Sequence, residues 1–207
     1  MRHVLSAVLA VCLLFGLLPC AQAELVNIGG RLHYTDRNNR AATEIGIDVS
    51  FYNNQIDWNA VRDQGIDFVI IRLGGRGWGT GSIYRDSMAD SYLTGAAEAG
   101  LKIGAYFYST AVNATEAVEE AEAALRMLNG RRLDLPLYID MELSGDTPNG
   151  RADTLSAGLR AEIAETFCRT VEAAGYLSGI YAAQGYLMYN LDARAVSYLP
   201  LWLANYT

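Results

Sequence analysis

The fold is decided by residues 115–142, which read TEAVEEAEAALRMLNGRRLDLPLYIDME. The pattern from Thr115 to Leu128 predicts a helix, and Gly130 supplies the left-handed residue that closes it. Asn113 precedes this helix, and Asp57 precedes the helical pattern near Trp58, as plausible N-caps, because a short side-chain oxygen can accept hydrogen bonds from the first helical amides. The apolar run Leu137–Glu142 then predicts a strand. A helix, a glycine and a strand in this order are typical of a parallel α/β sheet.

The same unit recurs from Glu44 onward, with Gly65, Gly100 and Gly175 at the ends of other helical patterns. Repeated units of about 35 residues predict parallel strands joined by right-handed crossovers. We therefore expect an α/β fold, either a (β/α) barrel or a related open sheet. The predicted strands are Ile45–Val49, Phe68–Leu73, Ile103–Ser109, Leu137–Glu142, Ser178–Ala182 and Leu199–Asn205, and the predicted helices lie near Trp58–Gln64, Ser87–Ala99, Thr115–Leu128 and Ser156–Ala174. A glycine-rich loop around Trp78, from Gly74 to Gly81, is expected after the second strand.

The 207 residues are 51% apolar and 19% charged, which predicts one compact domain rather than a disordered or coiled-coil chain. A basic start, the apolar run Val4–Leu18 and the small residues Ala21–Ala23 predict a secretory signal peptide over residues 1–23. A membrane anchor or a lipid anchor at Cys20 is the alternative. We expect a polar linker over residues 24–43, a barrel domain over residues 44–207, and a secreted or wall-associated protein without stable membrane association.

Charge and residue usage exclude several classes of function. A net charge of −7 makes the chain a poor binder of nucleic acid. His3 and His33 fall in the predicted signal peptide and linker, so catalysis by Cys/His or Ser/His/Asp groups is excluded. Cys168 is then expected to be a buried thiol in a helix. We expect the chain to be a monomer.

Reactive groups in a parallel α/β fold collect where the strands end. Here the predicted strand ends carry acids, one arginine, one amide and several aromatic rings. They are Asp48, Arg72, Tyr106, Tyr108, Asp140, Glu142, Tyr181, Trp202 and Asn205. The sequence therefore predicts one site rich in carboxylates and aromatic rings at this edge of the sheet.

Asp140 and Glu142 share one face of a strand, with Cα atoms about 6 to 7 Å apart. A pair of carboxyl groups at this separation suits cleavage of a glycosidic bond, in which one acid donates a proton and the other stays ionised. Arg72 could hold an acidic or acylated substituent. A divalent cation such as Mg²⁺ held by Asp48, Asp140 and Glu142 is an alternative. Zinc is disfavoured because no histidine lies near the site.

Six segments in order resemble the glycoside hydrolase family 25 lysozymes, which are peptidoglycan muramidases of the Chalaropsis type. The resemblance runs from about Ile45 to the end of the chain, and an ordered set is more specific than any one motif. The segments are Gly46–Ser50, Ile56–Trp58 with Val61, Phe68–Arg72, Gly104–Tyr108, Tyr138–Glu142 and Leu201–Tyr206.

The resemblance implies a flattened (β/α) TIM-like barrel and no cofactor. It also implies binding of peptidoglycan glycan strands and cleavage of the β-1,4 bond between N-acetylmuramic acid and N-acetylglucosamine. By position, Glu142 would be the proton donor, Asp140 would polarise the substrate N-acetyl group or direct water, and Asp48 would support them. Tyr106, Tyr108, Tyr181 and Trp202 would line the sugar groove.

The chain departs from the family pattern at its end. Family members continue past the Trp202–Tyr206 segment with a Trp-Gln segment and a last strand that carries another acid. This chain stops at Thr207. We therefore expect a fragment whose barrel lacks its last strand or strands. The alternative function is a wall-binding protein without turnover.

Overall fold

The structure is a computed structural model, and the residues described in it are 25–35, 43–145 and 149–205. The predicted signal peptide lies outside the described residues. None of the helices within these ranges combines the length and the apolar character needed to cross a membrane.

The chain divides into two units after Glu44, and the described residues of the first unit include a short hairpin. Strands β1 (Leu25–Ile28) and β2 (Arg31–Tyr34) pair antiparallel. Gly29 and Gly30 form the turn with φ of +60° and +86°, a conformation that glycine adopts without steric cost.

Residues 45–207 form the second unit, which contains a curled, mostly parallel sheet. Its described strands are β3 (Gly46–Val49), β4 (Phe68–Arg76), β5 (Ile83–Arg85), β6 (Lys102–Ser109), β7 (Leu137–Met141), β8 (Ser178–Ala183) and β9 (Leu201–Ala204). Its described helices are α1 (Trp58–Asp63), α2 (Ala89–Glu98), α3 (Ala114–Leu128), α4 (Ala157–Ala173) and α5 (Gln184–Tyr189), with a 3₁₀ turn at Phe51–Asn53.

The strand order β3-β4-β6-β7-β8-β9 follows the chain, and β5 pairs antiparallel with β4 outside this path. The parallel pairings confirm the predicted α/β class, and the curled sheet with its helices forms a half-barrel. Within the described residues, β3 and β9 are the two edges of the main path.

The predicted helix ends are confirmed in detail. Asn113 accepts a hydrogen bond from the amide of Glu116 at 2.9 Å, and Asp57 accepts one from Ala60 at 3.1 Å. The four glycines that close helices all have positive φ, between +74° and +89°. They are Gly65, Gly100, Gly130 and Gly175.

One local prediction is wrong, and one short helix was not predicted. Gly74 and Gly75 continue β4 as far as Arg76 instead of starting a loop. A side chain at Gly74 would lie 2.2 Å from the carbonyl oxygen of Tyr84, so the glycine is what allows β5 to pair there. The short helix α5 was not predicted, because its six residues are too few to show a helical pattern.

The core lies between the helices and one face of the sheet. Ile71 on β4, Ile139 on β7 and Phe167 on α4 are fully buried there. Cys168 is a free thiol in the same layer, as predicted, and burial raises its pKa to about 12. Because side chains alternate along a strand, the polar residues between these positions lie on the opposite face.

Candidate active site

Adjacent strands bring one side chain each into a continuous row. Tyr108 on β6 is in register with Asp140 on β7, Asp140 with Tyr181 on β8, and Tyr181 with Trp202 on β9. Residues in register on parallel strands share a face, so the row places one carboxyl group among aromatic rings. The strand register therefore places these four residues side by side on one face of the sheet.

A second row lies on the same face, about two residues nearer the start of each strand. Arg72, Tyr106, Tyr138 and Gly179 are in register across β4, β6, β7 and β8. A Cβ atom at Gly179 would lie 2.8 Å from the ring of Tyr138, so this glycine leaves the space that the ring occupies.

The indole of Trp202 joins the two rows. Its ring centroid lies 4.3 Å from that of Tyr181, 5.6 Å from Tyr138 and 5.8 Å from Tyr106. Edge-on and tilted contacts of this kind fix the orientation of each ring. The aromatic floor of the site is therefore rigid, and Trp202 remains partly exposed above it.

The carboxyl groups differ in their surroundings. Asp140 is only 5% exposed and its Oδ1 has no hydrogen-bond partner. Burial raises the pKa of Asp140 well above its usual range, and the charge of Glu142 raises it further. Glu142 is exposed, and partial desolvation raises its pKa while a hydrogen bond from Tyr181 opposes the rise. Desolvation also raises the pKa of Asp48, which is the nearest acid on β3.

The hairpin of β4 and β5 adds a residue that the sequence did not indicate. A Cβ atom at Gly75 would lie 2.7 Å from the hydroxyl of Tyr84 and 2.9 Å from Cβ of Tyr108. Gly75 is in register with Tyr108, so the Tyr84 hydroxyl occupies the place that a side chain would take in the first row. Burial raises the pKa of Tyr84, and both Arg72 and Asp140 act on it electrostatically. Tyr84 therefore belongs to the site.

Arg72 is held by Asp86, a buried acid that the sequence analysis did not predict as part of the site. Its Nε donates to Oδ2 of Asp86 at 2.8 Å, and the same oxygen accepts from the amide of Phe51. The guanidinium lies 5.0 Å from the ring of Phe51 and 5.4 Å from that of Tyr52. Nη2 of Arg72 is buried without a partner. Asp86 thus neutralises Arg72, and the Nη2 amino group is left to donate to an uncharged acceptor.

Two arginines fix the loop that follows Glu142. Arg151 donates to both carboxylate oxygens of Glu116, at 2.5 and 2.7 Å, and to the carbonyl of Thr110 at 2.9 Å. Arg160, on α4, donates to the carbonyls of Ala152 and Asp153 at 3.2 and 2.7 Å. The loop is therefore anchored from two sides.

The same Arg160 reaches the far end of α5. Its Nη1 donates to Oδ1 and to the carbonyl oxygen of Asn190, at 2.8 and 3.1 Å. Its guanidinium lies 5.2 Å from the ring of Tyr186. One buried side chain thus holds the β7–α4 loop and helix α5 at a fixed separation beside Glu142.

The predicted site residues are for the most part assembled on one face. Asp48, Arg72 and Glu142 act electrostatically on Asp140, and the tyrosines and Trp202 lie in the two rows. Asn205 lies beyond the end of β9 and is exposed, outside both rows. Tyr138 was missed although its spacing of two from Asp140 places it on the same face, which is a signal that the sequence contained. Within the described residues, no three His, Cys, Asp or Glu side chains are grouped so that they could hold a metal ion.

A family model described as glycosyl hydrolases family 25 matches residues 47–207. The autolytic lysozyme of Clostridium acetobutylicum is 31% identical over 161 residues, which are 78% of this chain and 44% of that protein. The chain therefore spans less than half the length of this curated relative.

Solved structures agree in fold. The modular autolysin LytC from Streptococcus pneumoniae, in complex with a synthetic peptidoglycan ligand, matches with a TM-score of 0.72 and 22% identity over 90% of this chain and 44% of that one. A family 25 glycosyl hydrolase from Bacillus anthracis matches with a TM-score of 0.63 and 21% identity over 86% of this chain and 76% of that one. Together with the family model, which covers most of the described sheet, these findings show that the chain belongs to glycosyl hydrolase family 25.

Proposed function

We propose that this chain is a secreted peptidoglycan hydrolase that cleaves the β-1,4 bond between N-acetylmuramic acid and N-acetylglucosamine. The observation that carries the proposal is the acid pair Asp140 and Glu142 at the end of β7, inside an aromatic row of a family 25 half-barrel. The autolytic lysozyme among its relatives supports the same reaction.

Glu142 is the proposed proton donor because its carboxyl group is the exposed member of the pair. A glycosidic oxygen can reach it, whereas Asp140 is almost fully buried. Desolvation raises the pKa of Glu142, which favours the protonated form that a general acid requires. In the reaction the proton passes to the leaving oxygen as the bond to the anomeric carbon breaks.

Asp140 is the proposed partner that orients the substrate. Its Oδ1 is buried and unpartnered, so a polar group of the substrate would complete its hydrogen bonding. The charge of Glu142 raises the pKa of Asp140, which favours a neutral Asp140 beside an ionised Glu142. The acetamido group next to the scissile bond, or the attacking water, is the group that Asp140 would hold. Asp48 supports this from β3.

The aromatic rings of the two rows provide uncharged contacts for the sugar substrate. Tyr106, Tyr108, Tyr181 and Trp202 offer ring faces and edges to the apolar faces of sugars. The N–H group that Arg72 retains beside Asp86 suits a neutral acyl oxygen better than an anion. Since the whole chain carries a net charge of −7, binding to an anionic wall would depend on these contacts.

The proposal is tested with Glu142→Gln and, as a matched control, Glu98→Gln, which changes an exposed glutamate on α2. Each chain is incubated with purified peptidoglycan, the soluble products are reduced with borohydride, and the reduced sugar is identified by mass spectrometry. We expect reduced muramic acid ends from the wild type and the control, and a rate roughly 10²- to 10⁴-fold lower from Glu142→Gln.

The outcomes separate the possible functions. Reduced glucosamine ends would contradict the proposed bond, and an unchanged rate for Glu142→Gln would remove Glu142 from the role of acid. Binding of the wild type to insoluble peptidoglycan with no new reducing ends would instead indicate a wall-binding protein without turnover.

A further inference from the structure

A side pocket of about 500 Å³ opens next to Glu142, between the β7–α4 loop and helix α5. Its volume lies within the range of small-ligand sites. Side chains of apolar and aromatic character form most of its wall, and one amide, one carboxyl group and two tyrosine hydroxyls are the polar side-chain groups of the described lining. The wall includes Met141, Leu143, Ala183, Tyr186, Asn190 and Glu142.

The pocket is held open by contacts that have no role in the reaction itself. Arg160 anchors the loop through Asp153 and anchors α5 through Asn190, so the two walls keep their separation. Because Oδ1 of Asn190 accepts from Arg160, the nitrogen of this amide is the group left to donate a hydrogen bond.

Charge limits what the pocket can take. Among the described residues that line it, the only ionisable groups are the carboxyl of Glu142 and the hydroxyls of Tyr186 and Tyr189. An anionic ligand would find no basic side chain among the described lining residues, and a cation would meet a mostly apolar wall. The wall therefore fits an uncharged chain that carries methyl groups and an amide oxygen.

We propose that this pocket binds the lactyl-alanyl portion of the peptide substituent on the muramic acid residue that is being cleaved. This portion consists of two methyl groups, an ether oxygen and an amide, without charge. Its amide carbonyl would accept from the nitrogen of Asn190, and its methyl groups would pack on Leu143 and Ala183. The inference rests on the proposed function, because Glu142 both lines the pocket and is the proposed proton donor.

Gly185 allows a direct test, because it lines the pocket near the start of α5 and a Cβ atom there would meet nothing within 4 Å. Gly185→Leu therefore fills the pocket without a clash in the fold. Gly158→Leu is the matched control, since Gly158 is also an exposed helical glycine with open space around its Cβ position, near the start of α4.

The measurement is kcat/KM on two substrates, glycan strands that bear their peptides and the same strands after an amidase has removed them. We expect the wild type and Gly158→Leu to favour the peptide-bearing strands about fourfold, which is the order expected for burial of the one methyl group, that of the alanyl residue, which the amidase removes. Gly185→Leu should bring this ratio close to one.

A ratio near one for the wild type would overturn the inference while leaving the proposed function intact. An equal loss on both substrates by Gly185→Leu would also overturn it, because the pocket would then hold a sugar ring. Absence of cleavage of either substrate by the wild type would instead be a failure of the proposed function, and the two failures are therefore distinguishable.

Discussion

Replacement of Arg160 by lysine is expected to destabilise the protein because one buried guanidinium serves two separate sets of acceptors. Nη1 contacts Asn190, and Nη2 contacts the carbonyls of Ala152 and Asp153. The single nitrogen of lysine can reach one set, so two hydrogen bonds from a charged donor are lost at a position that is 2% exposed.

Each such bond contributes about 1.5 to 3 kcal/mol, and neighbouring bonds are not additive, so we expect a loss of roughly 2 to 4 kcal/mol. For a chain of this size that corresponds to a fall in Tm of about 5 to 12 °C. The assay is thermal unfolding followed by circular dichroism, with peptidoglycan hydrolysis measured well below Tm. Activity should fall as well, since the loop and α5 flank Glu142.

Arg169→Lys is the control for this prediction. It makes the same substitution on the same helix, but the Arg169 side chain is 72% exposed and its ion pair is with Glu165 one turn away. An exposed pair of this kind is worth less than 1 kcal/mol, so Tm should stay within about 2 °C of the wild type. If Arg160→Lys also unfolds within about 2 °C of the wild type, Arg160 does not hold the two walls together.

Two further predictions concern the buried acid Glu120 and the strand glycine Gly75. Glu120 is fully buried beside Arg76 and Ser109, and burial outweighs both contacts and raises its pKa from 4.5 to about 7. The folded chain therefore holds this proton more tightly than the unfolded chain. The free energy of unfolding should decrease by about 2 to 3 kcal/mol as pH rises from about 4.5 through 7. In urea unfolding at pH 5 and pH 8, Glu120→Gln should remove this part of the pH dependence. Gly75→Ala should lower the free energy of unfolding by about 1 to 3 kcal/mol and reduce hydrolysis, because the new methyl group would displace Tyr84. Gly79→Ala is the control in the same hairpin. Its methyl group would enter open space, so urea unfolding and hydrolysis should stay unchanged. A Gly75→Ala chain with wild-type stability would show that Tyr84 is not fixed by this contact.

Much of the fold could be predicted because its signals are local. A helix cap such as Asn113 and a closing glycine such as Gly130 act within one turn, so the sequence shows them directly. The strand that ends in Asp140 is likewise visible as a short apolar run. These elements then limit the arrangement, since parallel strands with short connections allow few topologies.

The parts that could not be predicted depend on contacts between distant residues. Tyr84 enters the site because Gly75 leaves space for its hydroxyl, and neither residue indicates this alone. Asp86 becomes a buried partner of Arg72 only after β5 folds back on β4. A hairpin could not be distinguished from a loop at this point, because five glycines in eight residues are typical of both.

The strand register that builds the first row also determines when the site can appear during folding. Gly75, Tyr108, Asp140, Tyr181 and Trp202 come from five strands spread over more than half of the chain, and each parallel pairing must wait for a crossover to close. Helices such as α3 and α4 form from neighbouring residues, so helical content should recover early in refolding. Trp202 enters with β9, the last strand along the chain that is described, and the aromatic floor is incomplete before then. Recovery of ligand binding is therefore a measure of complete folding in this protein, whereas recovery of secondary structure is not.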